Sequence, residues 1–166
     1  DALPDVYGGF GTSLRFYGVD FSIGFTYQLG GQVLDQGYRF YMNSPAGTST
    51  GNNYHHDLLN SWTPENSGSN IPRFAYNDSN QADVSDRFLT SASYLNIQNI
   101  TLGYTLPKRI TRKFLVENLR IYLACDNVWY WSKRQGLDPR QSINGITNPY
   151  YYAPIRTFSG GVTVTF

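Results

Sequence analysis

His55, His56 and Asp57 follow one another in the chain, and these residue types carry the most chemistry if they converge. A His–Asp pair can act as a general base, and a His can ligate a metal. On an extended loop, neighbouring side chains point apart, and no nucleophilic Ser or second ligand stands at a motif spacing. The expectation is therefore solvated loop histidines, with no catalysis and no metal. "YNDSNQADVSD" sets Asp78, Asp83 and Asp86 among Asn and Ser oxygens. Calcium takes about six to eight oxygen ligands, but the spacing departs from the calcium-loop pattern. Turn chemistry, with Asp and Asn bonding nearby backbone, is the stronger reading, and calcium stays the alternative. "NPYYYAPI" offers Tyr150, Tyr151 and Tyr152 as ligand-contact candidates. Tyr rings can stack on a ligand while their hydroxyls bond it, although packing of the loop onto its neighbours uses the same side chains.

Five segments that alternate with a period of two must position these loops. In "VDFSIGFTYQL", Val19, Phe21, Ile23, Phe25, Tyr27 and Leu29 share one face, and Asp20, Ser22, Gly24, Thr26 and Gln28 share the other. That pattern is a strand with one apolar and one polar side. "FGTSLRFY", "NITLGYTL", "LRIYLACDNVWYW" and "TFSGGVTVTF" repeat it. Leu95 and Ile97 fall out of phase with Ile100, which predicts a bulge near Gln98. Arg15, Asp20, Arg120 and Asp126 lie on the polar sides.

The connections run short at Gly18, long over about 30–94, moderate through "PKRITRKFLVEN" and long again over about 133–156. Short turns at one end and long loops at the other are the habit of outer-membrane barrels. Aromatics gather at the strand ends, Trp129 and Trp131 towards the long loops and Phe16 and Phe166 at the other end. These would form the girdles of a lipid-facing wall. About ten residues at ~3.3 Å each, tilted by ~45°, span roughly 23 Å, close to the apolar band of a barrel. The fold expected is all-β: about five antiparallel strands of a transmembrane barrel. Since about eight strands are the minimum for closure, the barrel must be larger than this chain. The alternative is a soluble β-sandwich, acting as a glycan-binding module, with the apolar faces as its core.

Composition narrows the function. Charged residues are only 15% of the 166, against about a quarter in soluble domains, while aromatics reach 16%. A net charge of +1 gives no electrostatic case for nucleic acid. Lys108, Arg109, Arg112 and Lys113 in "KRITRKF" suit water or lipid phosphate at a membrane edge. Cys125 is the one cysteine, so no internal disulfide forms. No apolar run is long enough for a transmembrane helix.

Several stretches resemble the SusC/RagA family of TonB-dependent outer-membrane transporters: "PDVYGGF", "SWTPENSGSNIPRF", "SDRFLTSASYLNIQNITLGYTLP", "LRIYLACDNVWYWSKRQGLDP" and "RTFSGGVTVTF". Their order and spacing cover essentially the whole chain as the C-terminal part of the barrel. The resemblance implies a plugged barrel of about 22 strands, with a SusD-like lipoprotein lid over its external mouth. It implies import of oligosaccharides or peptides, energised through TonB by an N-terminal part outside this chain, where the plug also lies. On that pattern Arg15, Asp20, Arg120 and Asp126 face the lumen, and Phe166 resembles the signal read by barrel-assembly machinery. The location implied is the bacterial outer membrane with the C-terminus periplasmic. The family's role is transport, not enzymatic catalysis, and no cofactor is implied.

Overall fold

A computed structural model describes residues 1–43, 53–78, 81, 83–134, 136–141, 144–148, 150 and 152–166. The alternating segments become long strands: β1 (Val6–Phe16) and β2 (Val19–Leu29). The loop after β2 then contributes a short strand β3 (Gln32–Leu34), a helix α1 (Gln36–Tyr41) and a short strand β4 (Leu89–Ser91). The wall resumes with β5 (Tyr94–Thr105), is interrupted by helix α2 (Lys108–Thr111), and ends with β6 (Asn118–Ser132) and β7 (Thr157–Thr165). The five long strands form one antiparallel sheet in the order β1-β2-β5-β6-β7, and β3 pairs with β4 in a second, small sheet.

Tyr17 and Gly18 make the tight β1–β2 turn, both with positive φ (47° and 85°). Two such residues match the twist of the strands they join. A Cβ on Gly18 would lie 2.6 Å from the Thr105 carbonyl oxygen, so that position needs glycine twice over. The bulge falls where the phase break put it. Gly24 pairs with Asn99 and Phe25 with Ile97, leaving Gln98 as the extra residue. On its other side β5 pairs Ile97 with Trp129 and Asn99 with Asp126, so Asn127 and Val128 stand opposite the single Gln98 and β6 carries one residue more. Asn127 absorbs the kink with a φ of 51°. Because both strands bulge together, Trp129 stays on the face of Ile97 and Phe25.

Register then sorts the side chains. Phe21, Leu102 and Leu123 form one row across the sheet, and Val19, Tyr104, Ile121 and Val162 form another. This apolar face lies open: Leu123 is 65% exposed, Val162 60% and Ile121 46%. A sandwich core would bury these residues. Among the described residues the fully buried apolar side chains lie elsewhere, in the loop layer. Leu34, Met42 and Phe88 form that small core, with Tyr38, Leu58 and Ile71 packed on it. Among the described residues no second sheet covers this apolar face, so the sandwich arrangement is absent from them.

Candidate functional site

Two regions present polar chemistry: the polar face of the sheet and the layer built by its long loops. On the polar face, Arg15 pairs in register with Asp20, and Asp126 with Asn99 and Thr157. Register sets Arg15, Asp20, Arg120 and Asp126 on one face of the sheet. Three of them gather near the short-turn end. Arg120 Nε donates to Asp20 Oδ1 at 3.0 Å, and a second guanidinium nitrogen donates to Oδ2, a fork that spans from β6 to β2 over β5. The residue beneath it is Gly103, where a Cβ would lie 2.5 Å from both the guanidinium and the carboxylate. Further along, the Asn96 amide donates to Thr26 Oγ1 at 3.1 Å.

The opposite, apolar face carries the aromatic ends. Trp129 (52% exposed) and Trp131 (51%) pair with Ile97 and Leu95 at the long-loop end. Phe166 follows β7 at the other end, one residue beyond Thr165, which pairs with Asn118. Phe10 and Phe25 stack across β1 and β2 with centroids 4.8 Å apart.

In the loop layer, both long connections join. Leu34 forms a parallel bridge with Ile146, with the Thr147 N–H donating to Leu34 O at 3.1 Å. Asp35 caps α1 by accepting from the Tyr38 N–H at 2.9 Å, which satisfies one of the free amides of the first turn. Arg134, just beyond β6, reaches Asp35 with Nε 3.2 Å from Oδ2 and lies 3.6 Å over the Tyr38 ring. The Tyr38 hydroxyl donates to Asp57 Oδ2 at 2.9 Å. Burial, and then the Asp57 carboxylate it bonds, push the Tyr38 phenol above its ordinary value. A second buried pair holds the other loop: Arg140 Nε donates to Asp138 Oδ1 at 2.8 Å.

The histidines behave differently from expectation. His55 precedes a short 3-10 helix, His56–Asn60, and accepts from the Asp57 N–H at its start. This turn folds the two imidazoles to the same side, with ring centroids 4.6 Å apart. Their nitrogens meet one carboxylate: His56 Nε2 is 3.0 Å from Asp57 Oδ1 and His55 Nδ1 is 3.3 Å from Oδ2. Divergence was inferred for an extended backbone; helical curvature at His56 removes that premise. Asp78, Asp83 and Asp86 do not form such a donor group among the described residues.

Tyr150 borders a cleft of about 490 Å³ with Gln36, Arg39, Phe40 and Asn43 around α1. Tyr152 is almost wholly exposed, and Tyr151 lies outside the described residues. Sequence reasoning missed the α1 side of this cleft, because a six-residue helix is too short to show a period.

No family model matches the sequence. Known proteins nevertheless align with it from end to end. A TonB-dependent receptor of Formosa agariphila is 26% identical over 176 residues, covering 100% of this chain and 17% of the relative. The TonB-dependent receptor SusC of Bacteroides thetaiotaomicron is 29% identical over 164 residues, covering 98% and 15%. The RagAB peptide importer superposes in its closed-closed state with a TM-score of 0.83 at 26% identity, over 99% of this chain and 18% of that one. Its open-open state gives 0.82 at 25% identity, covering 99% and 17%. The chain spans about a sixth of the length of these relatives. In sequence and in fold, over essentially its whole length, the chain is similar to TonB-dependent receptors, SusC among them, and to the RagAB peptide importer.

Proposed function

We propose that this chain supplies wall and external loops to a TonB-dependent outer-membrane importer of oligosaccharides or peptides. The apolar face meets lipid hydrocarbon, and the polar face, with Arg15, Asp20, Arg120 and Asp126, lines the wet interior. The observation that carries this reading is the exposed apolar face of Leu123, Val162 and Ile121 on a sheet whose opposite face is polar. In water such a surface is an aggregation hazard, whereas in a bilayer it is the solvent contact. The edges of β1 and β7 pair with further strands of a closed barrel of about 22, which leaves no exposed ladder. Trp129 and Trp131 then sit at the outer interface and Phe166 at the periplasmic one, where it serves as the assembly signal.

On this reading the loop layer faces outward, under a SusD-like lipoprotein lid. Tyr150 and its cleft meet the cargo, since the loops of a rigid scaffold carry its specificity. RagAB, to which the chain is similar, is a peptide importer, which favours an extended chain of amide groups over a small solute. Energy enters through TonB, by way of the N-terminal part of the receptor. The test is uptake by cells carrying the intact receptor and its lipoprotein, with labelled peptides and oligosaccharides. Uptake that vanishes when TonB is removed supports the proposal. Uptake that persists without TonB, or binding with no uptake, contradicts it.

A further inference from the structure

We infer that His55, His56 and Asp57 form a binding site for a single zinc-like divalent cation in the loop layer. Their ligand atoms all lie within 4.8 Å of one another. In a tetrahedral zinc site, with metal–ligand distances of about 2.0–2.2 Å, neighbouring donors are about 3.3–3.5 Å apart. The two nitrogen–oxygen separations, 3.0 Å and 3.3 Å, already approach that edge length. Two imidazole nitrogens and a carboxylate are borderline donors that suit zinc and its neighbours rather than calcium or magnesium.

His55 Nδ1 accepts from the Asp57 N–H at 3.2 Å, so a cation that takes this lone pair displaces the bond that caps the 3-10 turn. His56 Nε2 would give up a proton and donate its lone pair, with the remaining ring proton on Nδ1. The Tyr38 hydroxyl, donating to Asp57 Oδ2, fixes the carboxylate from behind, as outer partners of metal ligands do. The Tyr38 ring also meets the His55 ring edge-on at 4.8 Å, and the Arg134 charge above it is engaged by Asp35. Half-exposed His55 and Asp57 with exposed His56 leave an entry path and a fourth position for water. Such a cation would pin the 3-10 turn at His56–Asn60 onto α1.

The experiment is a zinc titration of the intact receptor in detergent, after chelator treatment, against a competing dye at pH 7.5. The wild type should bind one more zinc ion per receptor than the His55→Gln/His56→Gln variant. Hydrogen exchange over 53–62 should slow on adding zinc to the wild type and not to the variant. An Asp57→Asn receptor, which keeps both imidazoles, should lose at least tenfold in affinity. Equal stoichiometry and affinity in wild type and double variant, with both folded by circular dichroism, would overturn the inference.

Discussion

Asp20 on β2 and Arg120 on β6 join hands across an intervening strand, directly above Gly103 of β5. The pair exists because the residue between them has no side chain. Replacing Gly103 by Ala puts a Cβ 2.5 Å from both partners, so the fork must open or the strands must part. We expect Gly103→Ala to open the fork and lower the stability of the folded receptor by at most about 1 kcal/mol, because the atoms it meets are the movable ends of two side chains. Urea unfolding in lipid vesicles measures it. Wild-type stability in the variant would mean the fork is loose.

The Asp35 carboxylate has two duties, capping α1 and holding Arg134. Asp35→Ala should cost about 1–2 kcal/mol locally through the lost cap, and more where Arg134 is released. Hydrogen exchange should quicken over 36–42 and over the residues after β6 together. Acceleration of α1 alone would show that the two loops are not joined through this residue.

Phe88 is wholly buried against Leu34 and Met42. Phe88→Ala should cost the loop layer about 3–5 kcal/mol while the strands stay paired. Limited proteolysis should then cut within the loops of a receptor whose barrel still migrates as folded on unheated gels. Loss of the folded band would show that loops and wall unfold as one unit.

The Tyr38 phenol has its proton held by burial and by Asp57. The folded value is raised above the unfolded one, so the unfolded chain loses its proton first as pH climbs. The stabilising contribution is complete below the ordinary phenol value of 10.0 and is lost as pH rises through the higher, folded value. Absorbance at the tyrosinate band, compared between wild type and Tyr38→Phe, should show one late-titrating phenol missing from the variant. A difference centred at or below the ordinary value would contradict the geometry.

Much of the wall could be read from residue alternation, since a period of two survives wherever one face is oily and the other polar. The phase break at Gln98 located the bulge for the same reason. The loop layer was opaque. β3 and β4 are three residues each, too short to show alternation, and α1 is under two turns. The core of Leu34, Met42 and Phe88 joins residues far apart in sequence, with no periodicity to mark them. Alternation sets Asp20 and Arg120 on polar sides of their strands, but their contact depends on register across three strands and on the gap at Gly103. The two imidazoles come together because their direction follows the local helical turn, which the residue types alone do not announce.

The account stands on which way the odd-numbered residues of β6 point. Spin labels placed singly at 119 to 124 of the intact receptor in liposomes, with Cys125 replaced by Ser, read this directly. Labels at 119, 121 and 123 should be reached by oxygen dissolved in the acyl chains, and labels at 120, 122 and 124 by a water-soluble nickel complex. Alternation of the opposite phase, or equal access of the nickel complex to all six, would contradict a lipid-facing wall.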